Sequence, residues 1–152
     1  MNTSGYMNYE SVKGDCPRDT ALLKDMFQGA REFIQSYAWC QGIKEMRLGY
    51  GVGGIVAVFY IQFEKPILGL DESLWVIYGD TPSAYLVTED INTPYEALKN
   101  YCSMMDEWTD AVLNGKPLDD VFPVDAVPNI ENARELKSRI EFIRKRILNF
   151  KT

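Results

Sequence analysis

The chain has 152 residues, 16 Lys+Arg against 22 Asp+Glu, no His and a net charge of −6. That length suits one domain with a real core, and 46% apolar with 25% charged residues is the composition of an ordinary globular protein. Without His there is no Ser–His or Cys–His catalytic pair and no His-ligated zinc, and the commonest general acid–base near neutral pH is missing.

Residues 1–18 are polar, with Gly5, Gly14 and Pro17, and read as a loosely held lead-in. They contain no basic patch followed by an apolar run, as a signal peptide would. A single domain is expected from residue 19 to residue 152. Its first helix is predicted from about Thr20 to Cys40, capped by Asp19 or Thr20, whose short side-chain oxygens can satisfy first-turn amides. Leu22, Met26, Ala30, Phe33, Ile34 and Tyr37 recur at helical steps, and Gly42 stops the run.

The period then changes. Met46, Leu48 and Tyr50 alternate with Glu45, Arg47 and Gly49, the pattern of a half-buried strand. Ile55–Phe63 is rich in β-branched and aromatic residues and reads as a central strand. After the loop at 64–73 come two short strands, Leu74–Tyr78 and Ala84–Thr88. The five residues joining them favour an antiparallel hairpin, because parallel pairing needs a longer crossover. Thr93-Pro94-Tyr95-Glu96 is a capping box with Pro at the first helical position, and Gly115 and Pro117 end the helix it starts. A Pro-bounded loop leads to a last helix at about Glu131–Asn149. The fold class is therefore α+β, a mainly antiparallel four-stranded sheet with three helices packed on one face.

Gly49-Tyr50-Gly51-Val52-Gly53-Gly54 matches G-x-G-x-x-G in letters only. A dinucleotide site needs a helix after the glycines to hold the pyrophosphate, and a strand follows here, so a glycine-rich hairpin turn is expected instead. Cys16, Cys40 and Cys102 are scattered and odd in number, which favours free thiols over disulfides or a Cys-only metal site. The longest apolar run, Gly53–Ile61, is too short to span a bilayer. A soluble, cytoplasmic protein without metal or cofactor is expected.

Charge is unevenly distributed. Between Asp71 and Asp125, 12 acidic residues stand against Lys99 and Lys116, a net of −10, whereas residues 131–152 carry seven basic and three acidic, a net of +4. An acidic surface disfavours direct nucleic-acid binding, because phosphate contacts need cations. The basic last helix reads as structural, with Glu135/Arg139 and Glu141/Lys145 at supporting i,i+4 spacing. It lacks the continuous apolar face of a membrane-surface helix. Asp106, Glu107 and Asp110 share the outward face of the second helix. Asp119 and Asp120 form a second acidic patch in the Pro-bounded loop. These five are the candidate contacts for a basic protein partner, with Tyr85 or Tyr95 as an aromatic anchor. No catalytic residue is assigned. The adjacent pairs Asp71-Glu72, Glu89-Asp90 and Asp119-Asp120 point apart on extended chain and do not build a dyad by themselves.

Leu74-Trp75-Val76, Gly79-Asp80 with Pro82-Ser83-Ala84-Tyr85, the Thr93-Pro94 helix start, Trp108 and Val121-Phe122-Pro123-Val124 together resemble an uncharacterised family of small bacterial proteins, a domain of unknown function, over about residues 55–150. That resemblance implies a bacterial, cytoplasmic, single-domain protein and no mechanism. In size, acidity and lack of a catalytic constellation the chain is also similar in character to immunity proteins that neutralise bacterial nuclease toxins. The leading expectation is such a non-enzymatic binding protein. One alternative is a small carboxylate-dependent enzyme using Asp80, Tyr78 and Tyr85 around the 79–85 turn. The other is a structural or regulatory module that self-associates through an exposed sheet face.

Overall fold

In the computed structural model, which describes residues 3–65 and 72–150, the elements are α1 (Pro17–Gln35), β1 (Ile43–Val52), β2 (Val56–Phe63), β3 (Ser73–Gly79), β4 (Ala84–Val87), α2 (Pro94–Leu113) and α3 (Ile130–Arg146). Most of the expected 64–73 loop, including Asp71 of one adjacent acidic pair, lies outside the described residues. The fold is α+β, with four strands in the order β1-β2-β3-β4 and every neighbouring pair antiparallel. The chain divides into two compact units, Met1–Ala97 and Leu98–Thr152.

In the first unit α1 begins earlier than its predicted cap. Cys16 is the N-cap, its Sγ accepting from the Asp19 amide at 3.5 Å, and Pro17 fills the first helical position. Asp19 and Thr20 instead reach outward. Asp19 accepts from the amides of Asp15 at 2.8 Å and Gly53 at 2.7 Å, and Thr20 Oγ1 accepts from Gly14 at 2.8 Å. The first turn of α1 therefore ties down both the lead-in and the β1–β2 turn. The lead-in is held rather than loose. Met7 bridges Leu48 of β1, a 3-10 turn covers Tyr9–Ser11, and Val12 is 4% exposed. Its polar composition conceals a few well-spaced apolar anchors.

The helix ends at Gln35, before the predicted Cys40. Tyr37 and Trp39 leave the helix and stack on each other, with ring centroids 5.1 Å apart. Trp39 then meets Phe63 of β2, and both rings meet Tyr85 of β4. Gly42, at φ 130°, turns the chain into β1. One sheet face packs on α1. Leu23, Met26, Phe27, Ala30 and Ile34 join Met46, Leu48, Ala57, Phe59, Ile61, Leu74 and Val76 in one core, with Phe27 edge-on to Phe59 at 5.3 Å. Val56, Val58, Trp75 and Ile77 alternate with these along β2 and β3 and are fully buried as well. Burial of both faces explains why the two central strands read as nearly continuous apolar runs.

The glycine-rich segment is a hairpin turn, as its spacing predicts. Val52 pairs with Val56 across Gly53-Gly54-Ile55, and Gly54 takes φ +79°, where a side chain would be strained.

The second unit holds most of α2, with α3 and a closing 3-10 turn. The predicted capping box at the start of α2 forms with its reciprocal bond displaced by one residue, to Asn92. Thr93 Oγ1 accepts from the Glu96 amide at 3.1 Å, and the Glu96 carboxylate accepts from the Asn92 amide at 2.6 Å. At the other end Gly115, at φ 64°, ends the helix. The Gly115 amide donates to the Val112 carbonyl and the Lys116 amide to the Ala111 carbonyl, the paired bonds of a Schellman motif. Asn129 caps α3 by accepting from the Asn132 amide at 2.8 Å, and Arg144, Lys145 and Arg146 complement the dipole in its last turn.

Candidate functional site

The acidic residues of α2 separate into paired and unpaired groups. Asp110 Oδ1 accepts from Lys137 Nζ at 2.8 Å, and Asp106 pairs with Arg144. Decreasing numbers on α2 meet increasing numbers on α3, so the two helices run antiparallel along this seam. The hydrogen bond from Lys137 to Asp110 holds the Lys137 ammonium above its usual range, against the opposing effect of burial. Exposed pairs of this kind contribute about 1 kcal/mol or less. Their consequence here is electrostatic: two of the five acidic candidates already have cations from α3. The +4 of the last segment thus offsets part of the −10 before it.

Glu107, Asp119 and Asp120 are different. All three are exposed, and their carboxylates take no ion pair among the described residues. Glu107 lies on α2. Asp119 and Asp120 lie in the loop between α2 and α3; Val127 in the same loop (66% exposed) and Ile130 at the first position of α3 (54% exposed) are the most exposed large apolar side chains in the described structure. A shallow concavity of about 250 Å³ opens beside the loop, lined by Ala111, Val112, Gly115, Lys116, Leu118 and Pro128.

The 79–85 turn is built differently. Tyr78 lies against α1 at Gly29, where an added Cβ would come within 2.5 Å of the phenol. Tyr85 is half-buried among Tyr37 and Trp39, at 5.2 and 5.3 Å between ring centroids. Tyr95 packs on Tyr50 at 4.9 Å. Asp80 is exposed, and its amide donates to the Ile55 carbonyl at 2.9 Å, extending the β2–β3 pairing by one residue. Thr81 is buried, and its Oγ1 has no hydrogen-bond partner among the described residues, a local cost of about 1–3 kcal/mol. The two tyrosines of the enzymatic alternative thus take separate packing partners.

The cysteines are free: Cys16 exposed, Cys40 half-buried and Cys102 buried. Burial pushes the Cys102 thiol up from 9.0 to about 11, with nearby Arg144 opposing and Asp106 adding to the shift. The folded chain therefore keeps a proton that the unfolded chain releases above pH 9. Stability is unaffected by this group below pH 9 and falls by about 1.4 kcal/mol per pH unit between pH 9 and 11. Urea midpoints measured across that range should show the loss, and Cys102→Ala should flatten it. Equal slopes in the two proteins would contradict the burial assigned to this thiol.

Among the described residues no group of three or more His, Cys, Asp or Glu is arranged to hold a metal ion, and no helix is long and apolar enough to cross a membrane. Comparison with protein-family models, curated proteins and solved structures finds no match to the chain.

Two features of the structure are faint in the sequence. The α2–α3 seam was signalled by opposite net charges on segments joined by one loop. The cluster of Phe33, Tyr37, Trp39, Phe63 and Tyr85 had only its aromatic composition as a signal, because its members come from three distant segments.

Proposed function

We propose that the chain acts by binding rather than catalysis, as an immunity-type protein that neutralises a nuclease-type bacterial toxin. What supports this reading is a set of exposed carboxylates outside any ion pair among the described residues, Glu107 on α2 and Asp119 and Asp120 in the loop that follows, together with exposed Val127 and Ile130. A nuclease holds its substrate phosphates in a basic cleft, and carboxylates at comparable spacing can occupy that cleft in their place. Charge complementarity speeds the encounter and disfavours wrong partners, while a desolvated apolar centre slows dissociation. Asp106 and Asp110 are not the primary contacts in this reading, since α3 engages them. Tyr85 is set aside as the anchor because its ring belongs to the aromatic cluster, and Val127 and Ile130 take that role.

Co-expression with the product of the adjacent reading frame, followed by affinity purification, tests the proposal. A basic protein should be retained through washing at about 150 mM salt, where exposed charges are screened beyond roughly 8 Å. Failure to retain a basic partner would remove the reading.

A further inference from the structure

The α2–α3 seam follows a simple rule over two rungs and then breaks it. Asp110 meets Lys137, and one turn back on α2 Asp106 meets Arg144, two turns along α3. One and then two turns further along α2, at the end of the seam away from the loop, stand Ser103 and Lys99, where the earlier rungs have a carboxylate. Lys99, Ser103, Arg144, Leu148 and Asn149 line an open notch of about 250 Å³ there. Lys99 and Ser103 are four residues apart and so lie on one side of α2.

The electrostatics of the notch are unbalanced. Lys99 is exposed and pairs with no carboxylate among the described residues. Arg144 bonds Asp106 through Nη1, while a guanidinium carries five N–H donors. Lys99 and Arg144 against Asp106 leave one net positive charge around a hydroxyl and a side-chain amide. Buried Leu148 adds apolar wall. The charged donors come from both helices, Lys99 from α2 and Arg144 from α3. That spread suits a tetrahedral acceptor, whereas a planar carboxylate would be satisfied by one arginine fork.

We infer that this notch is an oxyanion site that takes a phosphate group, which completes the third rung of the seam. The site is independent of the acidic patch at the loop end. Phosphate here comes either as the free ion or as the phosphoryl group of a monoester.

Amide and arginine side-chain NMR of the full chain tests the site, with sodium phosphate and O-phosphoserine titrated separately at constant ionic strength. Saturable shifts should concentrate at Lys99, Ser103, Leu148, Asn149 and the Arg144 Nε–H. Lys99→Met should weaken binding about tenfold, the loss of one charge-assisted contact, while Lys145→Met leaves it unchanged. Ser103→Ala, which removes only a hydroxyl, provides a second variant with a smaller loss in the same direction. Tighter binding of phosphoserine identifies an attached phosphoryl group, and equal or weaker binding identifies free phosphate; both support the site. Shifts that do not saturate, shifts spread evenly over Lys137, Arg139 and Lys145, or an unchanged affinity in Lys99→Met would overturn it.

Discussion

Gly79→Ala is expected to destabilise the protein by about 3 kcal/mol, although it adds a single methyl group. Gly79 pairs with Val56 in the β2–β3 ladder, and the next amide, of Asp80, donates to the Ile55 carbonyl. A Cβ on Gly79 would lie 2.2 Å from the Ile55 oxygen and 2.8 Å from the Val56 Cα. Both atoms belong to the backbone, so no side-chain rotation relieves the contact. The strands must separate where β2 leaves its tight turn, loosening two ladders together. Gly5 is the matched control, since a Cβ there meets nothing within 4 Å. Gly5→Ala should change stability by less than about 0.5 kcal/mol. Urea midpoints for both variants check the expectation, and similar midpoints would contradict the close strand approach.

Trp75→Ala should cost about 4 kcal/mol, the range expected when a large buried aromatic is truncated. Trp75 is fully buried in β3, with Tyr60 edge-on at 5.6 Å and Tyr6 at 6.3 Å. Its indole Nε1–H donates to the Ile91 carbonyl at 2.9 Å, fastening the segment that follows β4 to the sheet. Trp75→Phe separates the two contributions. It keeps most of the ring surface and leaves the Ile91 carbonyl without its donor, at about 1–2 kcal/mol. Thermal and urea denaturation of the pair measure the split. Equal losses in the two variants would mean that the hydrogen bond, not the packing, dominates this site.

The parts of the fold legible in the sequence are those specified locally. The Thr93–Glu96 capping box, the Gly115 stop and the glycine-rich hairpin turn each depend on a few neighbouring residues, and each forms as its spacing indicates. The start of α1 was misplaced because its cap is a cysteine and because Asp19 is drawn to Gly53, 34 residues away. Its end was misplaced because Tyr37 and Trp39 have helical spacing but find partners on Phe63 and Tyr85. The candidate site was half legible. Composition located the acidic segment, and helical spacing grouped Asp106, Glu107 and Asp110. Which of them α3 would engage depends on the register between two helices, and charge counting within one segment carries no information about that register.

The unpaired carboxylates of α2 and of the loop that follows it are the centre of the functional reading, and calorimetric titration with the co-purified basic partner tests them most directly. The triple variant E107K/D119K/D120K should bind at least about 100-fold more weakly than the parent, since each reversal sets like charges together. Asp80→Asn, at the turn between β3 and β4, should bind within about threefold of the parent, a difference below 1 kcal/mol. Retained affinity in the triple variant, or its loss in Asp80→Asn, would contradict the account.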